Sequence, residues 1–259
     1  MKNYVQLLVT LLILGSVHMT AQDNQQCLQN LSIFAENAKV KNYTAAYEPW
    51  LAVKTECPSL NVAIYSYGER ILKDRLKNAA AADIAAVQAD LLALYDGWIK
   101  YFPTKRGKNK VGDILSSKAQ NMIDFKIGSL EDTYATFDEA YTKDAASFTN
   151  PKRLYNYFKT FYDLYKSGKG SITTAMLFDK YEEVSEKFEV EGTSLAKKLD
   201  VILKKEESGA ALSTKDLKRR RIYDVNSNAI GVFLRNLDAI IAKESSCENL
   251  VPLYQSSFE

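Results

Sequence analysis

Histidine is almost missing from this 259-residue chain: there is one, His18. It falls in a leader-like start, "MKNYVQLLVTLLILGSVHMTAQ", in which Lys2 precedes an apolar run from Val5 to Val17. That run is shorter than the roughly 20 residues a membrane-crossing helix needs, and it leads into the small residue Ala21. It reads as a secretory signal peptide over residues 1–21, cut near Ala21–Gln22. Asn24, Gln25 and Gln26 ahead of Cys27 do not form a small-residue lipobox, so lipid attachment there is not expected. With the leader gone no histidine remains. That excludes Ser-His-Asp and Cys-His catalysis and histidine-ligated zinc. Charge of one sign is also missing. Losing Lys2 leaves 33 Lys+Arg against 32 Asp+Glu, a balance that argues against nucleic acid as the main partner. Glycine (11) and proline (5) are scarce, and alternating β-branched runs, which strands require, do not occur. No later segment is apolar enough to span a bilayer.

What is present is helical period. Helices are expected at about 28–41, 44–56, 60–78, 83–101, 111–127, 130–144, 152–167, 172–189, 194–207 and 214–243, with another from 247. Ser171 is an expected N-cap, and Ser213 with Asp216 three residues on has the form of a capping box. "SGKG" at 167–170 reads as a tight helix-to-helix turn, with glycine supplying positive φ. Pro49 falls early in its helix and predicts a late start or a small kink. The fold class is therefore all-α, in paired helices joined by short turns.

One boundary carries a specific pattern. Ala46, Trp50 and Pro58 have the small-x3-aromatic … proline form, and Ile64-x2-Tyr67-Gly68-x2-Ile71 follows in register. Gly68 is then a packing residue that lets the neighbouring helix come close, and Pro58 a stop. This joined pattern resembles the tetratricopeptide repeat. Weaker copies are Leu31/Phe34/Ala35/Ala38, Leu115/Lys118/Ala119/Met122, Thr133/Phe137/Ala140 and Leu154/Tyr157/Phe158/Phe161. Leu91, Tyr95, Trp98 and Pro103 have second-helix spacing after about eleven extra residues. The resemblance covers 27–190, with only helices expected over 191–259. It implies a right-handed superhelical array of antiparallel hairpins, like the secreted tetratricopeptide-like proteins of Bacteroidota, working without catalysis or cofactor. "CENLVPLYQSSFE" at 247–259 restarts like the first segment, so the chain is expected to continue past Glu259.

In such a hairpin the start of the first helix lies beside the end of the second, which is where Cys27 and Cys57 fall. In an oxidising compartment a Cys27–Cys57 disulfide is expected, the alternative being two unpaired thiols. Cys247 is left over, to pair outside this chain or stay buried and free. By the resemblance, first-helix residues beside the packing anchors line a concave groove. These are Tyr65, Glu69 and Lys73, Tyr155, Lys159 and Tyr162, and Ser32, Glu36 and Lys39. Tyrosine and lysine there suit a peptide or protein partner in the periplasm or at the outer membrane. In "LYNYFKTFYDLY" (154–165), Leu154, Phe158, Phe161 and Tyr165 form a stripe read as core. An alternative function is an envelope module binding lipid or glycan through the basic loop 104–110, "TKRGKNK", and exposed tyrosines. "KRRR" at 218–221 lies on a helix that spreads its charge around the axis. Glu182–Glu183 and Glu206–Glu207 read as exposed helix faces.

Overall fold

A computed structural model describes residues 24–246. The leader, Cys247 and the helix expected from 247 lie outside the described residues. The chain divides into two compact units, with the boundary between Lys108 and Asn109. Among the described residues both are built of helices packed as adjacent pairs, so the fold is all-α.

The first unit holds α1 (residues 24–39), α2 (Tyr43–Glu56), α3 (Ala63–Asn78) and α4 (Ile84–Tyr101). Cys27 near the start of α1 is bonded to Cys57, the residue that caps the end of α2, with Cα atoms 6.4 Å apart. Asn42 opens α2 by accepting a hydrogen bond from Ala45 N. Phe34, Ala38, Ala46, Trp50, Val53, Ile64, Ile71, Leu72, Leu91 and Tyr95 form the core. The α2–α3 seam is closed by Gly68. A Cβ there would stand 2.6 Å from Trp50 Nε1, closer than side chains approach one another. The space a side chain would fill holds the indole, whose Nε1 donates to the Ile64 carbonyl at 2.7 Å. The indole thus buries its ring without leaving its N–H unpaired.

The second unit holds α5 (Val111–Phe125), α6 (Leu130–Asp144), α7 (Pro151–Ser167), α8 (Thr174–Glu207) and α9 (Thr214–Glu244). Start signals are local: a Ser129–Asp132 capping box opens α6, and Asn150 followed by Pro151 at the first helical position opens α7. Gly168 and Gly170 take the positive φ that the turn after α7 requires. Of the weaker copies' anchors in this unit, Leu115, Ala119, Met122, Thr133, Phe137, Ala140, Leu154, Tyr157, Phe158 and Phe161 are buried, and Lys118 is half-buried. Gly112 brings α5 against α6 so closely that a Cβ would overlap the Asp144 carbonyl oxygen.

Several expectations are corrected. Segments 172–189 and 194–207 are one helix, α8. Gly192 costs a helix only about 1 kcal/mol, and Val184, Phe188, Leu195 and Ile202 carry a buried stripe straight past it. The cap of α8 is Thr173, whose hydroxyl accepts from Met176 N. Ser171, the expected cap, sits in the preceding 3₁₀ turn. Pro49 neither delays nor ends α2, because Asn42 caps it seven residues earlier and proline removes one backbone bond. A strand pair does occur: β1 (Thr104–Lys105) and β2 (Lys108–Asn109) form a minimal hairpin. Arg106 and Gly107 both take positive φ, the geometry of a two-residue turn that matches strand twist.

Candidate functional site

Trp50 and Gly68 set the distance between α2 and α3, and that distance shapes a cleft where α2 begins, α3 ends and α4 begins. Tyr43, Thr44, Tyr47 and Glu48 line it from α2, Asp74, Arg75 and Asn78 from α3, and Asp83 and Val87 from the start of α4. Its volume is about 520 Å³, within the range of ligand-sized clefts. Arg75 Cζ lies 3.7 Å from the centre of the Tyr47 ring, a face-on stack. No ion pair ties this guanidinium to a described carboxylate, although Glu48, Asp74 and Asp83 share the cleft. Asn78 Nδ2 donates to the Asp74 backbone carbonyl at 2.9 Å, closing the end of α3. With its face held on tyrosine, Arg75 presents its N–H edge, which is shaped to grip a carboxylate through two bonds. The acids around it suit an ammonium or guanidinium on the same ligand. The cleft fits a polar, doubly charged segment better than an apolar molecule.

Of the residues expected on a groove, Tyr65 is instead core, 2% exposed. Its ring packs against Trp98, Tyr101 and Phe102, and its hydroxyl donates to the Pro58 carbonyl at 2.9 Å. Burial beside Tyr101 pushes its phenol up to about 12. The reason is α4, which returns over that face of α3. Glu69 and Lys73 stay partly exposed and pair with each other at 3.4 Å. Ser32, Glu36 and Lys39 are exposed on α1, with Lys39 paired to Glu36. On α7, Tyr155 stacks on Phe233 with centroids 4.9 Å apart, Tyr162 donates to Glu244 Oε1 at 2.8 Å, and Lys159 pairs with Asp163. Helix α9 therefore covers the α7 face that was expected to be open. Tyr47 and Arg75 lie on different helices, 28 positions apart, and no spacing pattern in the sequence joins them.

The second unit contains a polar cluster joining α6, α7 and α8. Tyr157 Oη donates to Asp138 Oδ1 at 2.6 Å and stands 3.2 Å from Glu183 Oε1, and Lys180 Nζ donates to Tyr157 Oη at 2.6 Å. Lys180 also donates to both Glu183 oxygens, and Tyr134 donates to Asp138 at 3.1 Å while stacking on Tyr157. Glu183 is thus a partner in this cluster and not a free helix face. Burial, then the bond to Asp138, drives the Tyr157 phenol far above its ordinary range, so it stays protonated as a donor. A phenol fixed in that form holds helices together and is not a base. Nearby, Asp144 accepts from Gly112 N at 3.2 Å and from the Ser147 hydroxyl, placing a carboxylate at the start of α5. Arg153 Nη1 donates to Asp113 Oδ1 at 2.8 Å.

Lys105, Arg106 and Lys108 on the β1–β2 hairpin are exposed and make no ion pair among the described residues. No group of three or more His, Cys, Asp or Glu among the described residues could hold a metal ion. No helix among them is long and apolar enough to cross a membrane. The chain matches no protein-family model, and neither the curated proteins nor the solved structures contain a match.

Proposed function

We propose that this chain is an exported, non-enzymatic scaffold of tetratricopeptide-like hairpins that binds a peptide or protein partner in the cell envelope, in the periplasm or at the outer membrane. The observation that carries the reading is Arg75, stacked 3.7 Å from the Tyr47 ring in a polar cleft and free of any described acid. Tyrosine and arginine are the side chains that interfaces most often use as anchors, because a rigid ring and a pre-shaped fork lose little freedom on binding. The Cys27–Cys57 bond supports an oxidising compartment. The seam of Ala46, Trp50, Pro58 and Gly68 supports the repeat likeness.

A photo-crosslinking residue at Thr44 or Asn78, on the rim of the cleft, tests the reading in the native envelope. Discrete adducts are expected from both positions and are expected to vanish on Arg75→Glu. Adducts that persist unchanged in Arg75→Glu, or none at all, would overturn it. A second reading, an envelope module that touches lipid or glycan through loop 104–110, rests on the exposed, unpaired Lys105, Arg106 and Lys108. Salt-sensitive vesicle binding lost on replacing those three would favour it.

A further inference from the structure

The first half of α9 puts charge and aliphatic surface together where neither core uses them. "KRRR" (218–221) is divided by the helix. Arg220 pairs with Glu206 of α8 at 2.7 Å. Arg219 lines a small cleft of about 190 Å³ with Lys198, Lys205 and Tyr223. At 100° per residue, Lys218 and Arg221 fall on the opposite side, away from Ile230 and Leu237, which are buried. The same outer side carries Leu217 (53% exposed), Ile222 (46%), Val225 (59%) and Val232 (45%). Lys218 and Arg221 have no ion pair among the described residues. Asp224 is the single carboxylate between Leu217 and Leu237.

Scattered exposed aliphatics need no explanation, but here Val225 and Val232 share the centre of the outer side with Lys218 and Arg221, and Leu217 and Ile222 flank it on its two edges. The surrounding arm is basic as well: residues 197–225 carry nine Lys+Arg against five Asp+Glu, in a chain whose whole balance is 34 against 32. A helix side that carries aliphatics with cations among them lies well on an anionic membrane, aliphatics toward the acyl boundary and the long cationic side chains reaching the phosphates. The β1–β2 hairpin has cations but no exposed aliphatic side chain beside them, so it lacks half of that chemistry.

We propose that the outer face of α9, through Leu217, Lys218, Arg221, Ile222 and Val225, docks the protein on a membrane surface rich in anionic phospholipid. This goes beyond partner binding in the first unit and does not depend on it. The test is co-sedimentation of the full protein with phosphatidylcholine vesicles, with and without phosphatidylglycerol. Binding is expected only when phosphatidylglycerol is present. The Lys218→Ala/Arg221→Ala variant is expected to bind about thirtyfold more weakly, since each surface cation contributes about 1 kcal/mol at an anionic membrane. Ile222→Ser/Val225→Ser should weaken binding as well, and Lys105→Ala/Arg106→Ala/Lys108→Ala should leave it unchanged. All these positions are exposed, and circular dichroism checks that the variants remain helical. The proposal is overturned by any of four results: no preference for phosphatidylglycerol, binding lost only in the hairpin variant, binding untouched by both α9 variants, or α9-dependent binding to an acidic peptide with none to vesicles.

Discussion

The two units reach close helix packing by different chemistry. In the first, Gly68 makes room for the Trp50 indole, and the seam is aromatic and aliphatic, backed by the Cys27–Cys57 crosslink. In the second, Gly112 lies against the backbone of Asp144, and the helices are joined by buried or half-buried polar groups: Asp144 with Gly112 N, Arg153 with Asp113, and Tyr157 with Asp138, Lys180 and Glu183. An apolar seam depends on shape more than on protonation. A polar seam depends on every member keeping its partner, since a buried group left unpaired costs its whole desolvation. The first unit should therefore fail when volume or covalent constraint is removed, and the second when a bond or a proton is.

The largest break is Trp50→Ala, which empties the first seam and should cost about 3–5 kcal/mol in urea unfolding. Next is reduction of Cys27–Cys57, which closes a loop of 30 residues. Its loss should cost about 3–4 kcal/mol in the chain-entropy model and raise amide exchange across residues 24–78. Gly112→Ala should destabilise by about 1–3 kcal/mol, since the clashing atom is a backbone carbonyl that cannot turn aside. Tyr157→Phe keeps the ring but strips Asp138 and Lys180 of a partner, at about 1–2 kcal/mol. The smallest effect qualifies the comparison through pH, because the first unit also buries a phenol, Tyr65. The Tyr65 phenol is pushed up to about 12 by burial, against about 10 in an unfolded chain. The unfolded state thus releases this proton first. Its contribution is whole below pH 10 and is lost as pH rises from 10 toward 12, a loss that Tyr65→Phe should remove from the alkaline unfolding curve.

Punctuation made the first seam legible. Ala46, Trp50, Pro58 and Gly68 each have a residue type that only a narrow packing role explains, and their spacing falls within one hairpin boundary. The helix inventory was legible from apolar period and from one cap, Ser213, whose hydroxyl accepts from Asp216 N at 3.1 Å. Single breakers misled. Gly192 and Pro49 sit inside helices because tertiary contacts and a good cap outweigh one weak residue. The Arg106–Gly107 turn needs only two residues, too few to leave a strand pattern in the sequence. The cleft was hidden because Tyr47 and Arg75 are 28 positions apart and meet only once the Trp50–Gly68 seam is formed. The Tyr157 cluster was hidden likewise, its members coming from three helices. Tyr65 was misplaced because its position beside Ile64 gave no sign that α4 would close over it.

The seam that shapes the cleft buries one donor, the Trp50 indole N–H, against the Ile64 carbonyl. Hydrogen exchange of the two tryptophan indoles, resolved by NMR, tests it without any substitution. Trp50 should exchange orders of magnitude more slowly than the half-buried Trp98. Equal, fast exchange at both rings would contradict the seam, and with it the placement of Tyr47 against Arg75.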